Sequence, residues 1–195
     1  MSTNSKKQNL FFMCFCAVMI ALGTVLSFVK LFEMPLGGSV TIASMLPVML
    51  ISYFCGVRWG MVSSVIFAAI QLFISLGEVM SWGLSTQAII GTALLDYILA
   101  YSVLGIAGIF RKKDAATKQH LIRFALGMLL AVVLRFVFHF FSGIIIFDIW
   151  ATFKPAWLYS ICYNGGFLLP DLAICVVVGL LIFTPVRSLF EKYAK

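Results

Sequence analysis

LIRFALGMLLAVVLRFVFHFFSGIIIF, residues 121–147, decides the fold. The stretch holds three ionisable side chains: Arg123 near its start, then Arg135 and His139 deep inside. As a helix rising ~1.5 Å per residue it is about 40 Å long, enough to cross the ~30 Å hydrocarbon layer of a bilayer. An ionisable group inside such a span costs at least ~2.5 kcal/mol on insertion scales, so Arg135 and His139 are functional candidates by default. With Ser142 they follow an i, i+4, i+7 spacing and share one face.

Similar apolar blocks lie on either side, at about 11–29, 40–57, 59–76, 87–110 and 155–185. Hydrophobic residues make up 63% of the 195 and charged residues 11%, against roughly 25% charged in soluble domains. The reading is an all-α integral membrane protein: one membrane domain over 1–195, with six transmembrane helices. No ten-residue alternating segments of a transmembrane barrel are visible. Lys6, Lys7, Arg58, Arg111, Lys112, Lys113, Lys118, Arg123, Arg187, Lys192 and Lys195 fall on one side, and Lys30 and Lys154 on the other. The positive-inside rule places both termini in the cytoplasm, in a cell membrane. Topology accounts for the net charge of +7, and no nucleic acid is needed to explain it. The first block is too long for a cleavable signal peptide and lacks a cleavage site. The five cysteines form no C-x-x-C pair, so they read as packing residues, with no metal or cofactor implied.

Four ionisable groups sit inside the spans: Asp96, Arg135, His139 and Asp171. At ~1.5 Å per residue, Asp96, His139 and Asn164 lie at similar depths, roughly 12–14 Å below the outer surface. An acid, an imidazole and an amide at one depth point to a small polar solute captured from outside. A buried carboxylate favours a cationic or amino-bearing ligand. Tyr97, Phe147, Trp150, Trp157 and Tyr159 supply rings for stacking or cation–π contact. Arg135 is expected to be satisfied by Asp171 or Asp96. Two segments add flexible backbone. Met34-Pro-Leu-Gly-Gly-Ser39, with Pro35, Gly37, Gly38 and Ser39, reads as an outer loop able to act as a lid. Tyr163-Asn-Gly-Gly166 reads as a place for close helix contact or unwinding. Ala17 and Ala21 form a small-xxx-small strip that fits a partner helix, or internal packing.

Several segments, in order, resemble one family. They are Met34-Pro-Leu-Gly-Gly-Ser-Val-Thr-Ile, Leu95-Asp-Tyr-Ile-Leu-Ala, Leu104-Gly-Ile-Ala-Gly-Ile-Phe-Arg, Phe138-His-Phe-Phe-Ser-Gly-Ile-Ile and Tyr159-Ser-Ile-Cys-Tyr-Asn-Gly. The chain is similar to the membrane-embedded substrate-binding (S) components of energy-coupling factor vitamin transporters, and resembles the thiamine-specific ones in particular. The resemblance implies that thiamine or a close analogue is taken up from outside. It implies a ligand site at Asp96, Tyr97, Arg135, His139, Gly143, Tyr159 and Asn164, and docking of a transmembrane coupling subunit at Ala17 and Ala21. Two ABC ATPases would complete the importer. This chain itself has no G-x-x-x-x-G-K-[ST] loop for ATP. Some relatives carry glutamate where Asp96 stands and a stacking tryptophan where Phe147 stands. Trp150 or Trp157 is expected to substitute. A second stacking tryptophan of some relatives has no counterpart near Gly38. Two other readings follow: an S-component for a different vitamin or precursor, such as a pyrimidine or thiazole fragment, and an intramembrane enzyme based on His139. No G-x-S-x-G or H-E-x-x-H supports the enzyme.

Overall fold

A computed structural model describes residues 3–112, 116–152 and 154–193, without the side chains of residues 3–5 and Trp150. Lys113 and Lys195 lie outside the described residues. Six helices follow in order: α1 (Thr3–Ser27), α2 (Leu46–Cys55), α3 (Val57–Ser81), α4 (Thr86–Ile106), α5 (Thr117–Ile145) and α6 (Ala156–Tyr193). Two short antiparallel strands, β1 (Lys30–Glu33) and β2 (Ser39–Thr41), join α1 to α2.

The expected span 40–57 is not one helix. Its helical part, α2, has ten residues and reaches only ~15 Å, half of the hydrocarbon layer. Pro47 sits in its first turn, and Gly56, at φ +100°, ends it and turns the chain into α3. Ten side chains in a row are buried, so α2 is a core helix surrounded by the five that are long enough to span. The outer half of this layer is filled by β2 and residues 42–45. Non-helical backbone at membrane depth is tolerated only where protein covers it, and Val40, Thr41, Ala43, Ser44 and Met45 are all buried.

Other boundaries move as well. α3 runs to Ser81 rather than 76, and α4 stops at Ile106 rather than 110. The interior of α4 is irregular: a π-helical stretch, Ala93–Leu99, gives way to a short 3-10 turn at Val103–Ile106. α6 continues without unwinding through Gly165, Gly166, Pro170 and Pro185.

The densest packing lies in the inner half of the molecule. Tyr53, Phe124 and Phe183 meet there, with ring centroids 5.1–5.5 Å apart, beside Met49 and Met128, all with essentially no exposure. Close helix contact there depends on glycine. A Cβ on Gly127 would stand 1.9 Å from the Ala107 carbonyl oxygen, and one on Gly108 2.1 Å from that of Ser52. A core weighted toward the cytoplasmic side leaves the outer half of the bundle open for a cavity.

Candidate functional site

The cavity has a volume of about 270 Å³ and lies between α3, α4, α5 and α6, beneath the loop that joins β1 to β2. Asp96 projects into it from the π-helical stretch of α4. π-bulges are rare and recur at functional sites, because the extra residue re-aims the side chains of one turn. On the facing helix, His139 Nδ1 donates to Asp96 Oδ1 at 2.8 Å, and Ser142 Oγ donates to Oδ2 at 2.5 Å. Arg135 Nε donates to His139 Nε2 at 3.2 Å. Since a guanidinium only donates, Nε2 must accept, and the imidazole proton is on Nδ1. The i, i+4, i+7 stripe of α5 is therefore a directed chain ending on one carboxylate.

The expected ion pair of Arg135 is not formed. Among the described residues its guanidinium contacts no carboxylate. It lies 3.9 Å above the Tyr101 ring and bonds to His139. Asp171 instead accepts from Thr41 N at 3.1 Å and Thr41 Oγ1 at 3.0 Å. The reason is β2, whose last residue, Thr41, reaches the depth of Asp171 and brings a backbone N–H and a hydroxyl to it. The formal charges around the floor are then two carboxylates, Asp96 and Asp171, against one guanidinium.

Asn164 is fixed through its amide nitrogen, which donates to the carbonyls of His139 at 3.2 Å and Ser160 at 2.9 Å. Asn164 borders the cavity, and its amide oxygen accepts no bond among the described residues. Gly143 allows the crossing beside it: a Cβ there would come within 2.2 Å of Ser160 Oγ. The roof is the loop 34–38. Tyr163 donates its hydroxyl proton to the Pro35 carbonyl, and the same oxygen accepts from Gly38 N at 3.1 Å. Gly37, at φ +89°, packs on the Trp82 ring, and a Cβ on Gly38 would collide with Tyr163 and Phe167. Trp82 and Phe147 form an aromatic wall with centroids 6.0 Å apart at 72°.

The sequence pattern of the thiamine transporter protein family matches residues 13–191. The thiamine transporter ThiT of Bacillus subtilis is 32% identical over 185 residues, which cover 90% of this chain and 92% of that protein. The chain belongs to the thiamine transporter protein family. A solved structure of ThiT from Listeria monocytogenes, 22% identical, covers 93% of this chain and 98% of its own with a TM-score of 0.76, so the fold is shared. Relatives in this family are named as transporters, not enzymes.

Within this member of the thiamine transporter protein family, most of the expected site residues meet in one place. Asp96, Tyr97, Arg135, His139, Gly143, Phe147, Tyr159 and Asn164 all border the cavity, as do Gly37, Gly38 and Ser39. Pro35 takes part through its carbonyl alone. Trp157 does not: it lies in the first turn of α6, 51% exposed, where tryptophans collect at the membrane interface. The side chain of Trp150 lies outside the described residues. Unforeseen were Gln71, Ser75, Glu78 and Trp82, which border the cavity from α3. Their spacing of 4, 3 and 4 residues is a polar stripe on one helical face. Ending α3 at 76 cut the stripe in half, leaving Glu78 and Trp82 outside the expected span. Trp82, just past the end of α3, lies beside Gly37 under the roof loop. Ala17 and Ala21 are exposed, whereas Cys16, Ile20 and Gly23 turn inward.

Proposed function

We propose that this chain is the substrate-binding component of an energy-coupling factor importer and captures thiamine from outside. One observation supports the ligand beyond the family relationship: a carboxylate, Asp96, oriented by two donors in a cavity with aromatic walls. Thiamine carries a cationic thiazolium and a planar aminopyrimidine. The excess of carboxylate over guanidinium offsets the one, and the acceptors of Asp96 and Asn164 suit the amine of the other. Rings such as Tyr97, Tyr159, Phe147 and Trp82 offer faces to both heterocycles. The exposed Ala17–Ala21 strip supports docking of a coupling subunit that two ABC ATPases drive.

Trp82 borders the cavity and so reports occupancy. Titrating the detergent-purified protein with thiamine should quench tryptophan fluorescence saturably at nanomolar concentration, while riboflavin has no effect. Tight binding of the pyrimidine or thiazole fragment without thiamine binding would replace the substrate. No response to any of these compounds would sink the ligand assignment.

A further inference from the structure

A second cavity, of about 610 Å³, opens at the opposite end of the bundle, between the inner ends of α1, α2, α5 and α6. Arg111, Arg187 and Lys192 border it against a single carboxylate, Glu191. Arg187 Nε donates to Glu191 at 2.7 Å, and among the described residues its two terminal nitrogens meet no hydrogen-bond acceptor. Arg111 has no carboxylate partner among the described residues. Burial holds its guanidinium below the ordinary arginine pKa, as expected of a cation stripped of water without full compensation. The floor is polar: Tyr53 and His120, both buried, share a 2.8 Å hydrogen bond between the phenol oxygen and Nδ1. One wall is aromatic, with Phe190 stacked on Phe12 at 5.7 Å and packed against Phe54 at 5.3 Å.

We propose that this pocket holds the phosphate of an acidic phospholipid of the cytoplasmic leaflet. The positive-inside side of the protein places the three cations at the depth of the inner headgroups. Basic pockets between transmembrane helices on that side are suited to anionic headgroups, and arginine pairs with phosphate in a bidentate fork. Phe12, partly exposed beside the buried Phe54 and Phe190, adds an apolar face next to the cations, a surface that an acyl chain would cover and a free phosphate would not use. The site is separate from the outer cavity and does not depend on what that cavity binds.

Native mass spectrometry of the full chain in neutral detergent tests this, with phosphatidylglycerol or phosphatidylcholine added at trace level and inorganic phosphate added as a millimolar competitor. Arg111→Gln/Arg187→Gln is compared with Lys6→Gln/Lys118→Gln, which removes two charges outside the pocket. Thermal unfolding verifies that each is folded, and Arg187→Gln alone is used if the pocket double variant is not. The wild type and the control should retain one phosphatidylglycerol in preference to phosphatidylcholine. The pocket variant should lose it by about tenfold or more, as expected when charge-assisted bonds to phosphate are removed. Equal retention of the two lipids, or an equal loss in the control, would overturn the proposal. Displacement of the lipid by millimolar inorganic phosphate would assign the site to a soluble phosphate and overturn the lipid.

Discussion

Both oxygens of Asp96 are engaged before any ligand arrives, one by His139 and one by Ser142. A hydrogen bond to each oxygen fixes the carboxylate's orientation at the edge of the cavity. Asn at this position keeps the shape but presents an N–H₂ to one of the two donors, so it loses both the charge and the orientation. Asp96→Asn should weaken thiamine binding by roughly 1.5–3 kcal/mol, measured by calorimetry on the purified protein. Ser142→Ala leaves the charge in place and should cost less, ~1 kcal/mol, the worth of one hydrogen bond. Unchanged affinity in Asp96→Asn would remove the carboxylate from the binding site. His139 was legible from helical spacing and depth. Ser142 was legible as a neighbour on the same face, but its service to Asp96 depends on how α4 meets α5.

That meeting is set by elements whose irregularities hydropathy does not record. The π-helical stretch of α4 has an unremarkable apolar composition around Asp96. The non-helical backbone after β2 is as apolar as a helix, because it too is buried, so 40–57 read as one span. Long helices with charged ends and single polar faces, α5 and α6, were readable; a half-length core helix and the outer end of α3 were not. The glycines of the inner half were equally silent, since closeness of approach follows from which helices cross. Gly127 is the sharpest case, with the Ala107 carbonyl where a Cβ would go. Gly127→Ala should therefore separate α5 from the end of α4 and cost ~1–3 kcal/mol, the usual range for overpacking. A fall in the thermal unfolding midpoint, with thiamine affinity kept in the folded fraction, is the expected result. An unchanged midpoint would mean that the contact relaxes freely.

At the scale of the whole molecule, the two halves of the bilayer have different tasks, and α1 connects them along one side. Its inward face is fixed by Cys16, Ile20 and Gly23; a Cβ on Gly23 would come within 2.9 Å of the Ser44 carbonyl. Its outward face carries Ala17 and Ala21 among exposed Val18, Leu22 and Val25. Internal packing, the other reading of the strip, is removed by this exposure. Small residues on a lipid-facing surface bring no gain in hydrocarbon, where larger apolar side chains serve as well, but they let a second helix approach closely. α1 reaches the Asp96 cavity only at its outer end, through Ser27, six residues beyond Ala21, and neither Ala17 nor Ala21 borders it. Ala17→Trp/Ala21→Trp should thus separate the two activities. Thiamine quenching in the purified chain should match the wild type, while uptake by cells or vesicles carrying the complete importer should be lost. Loss of binding together with uptake would place the strip inside the fold of the binding component. Uptake that survives both tryptophans would put the docking surface on another helix.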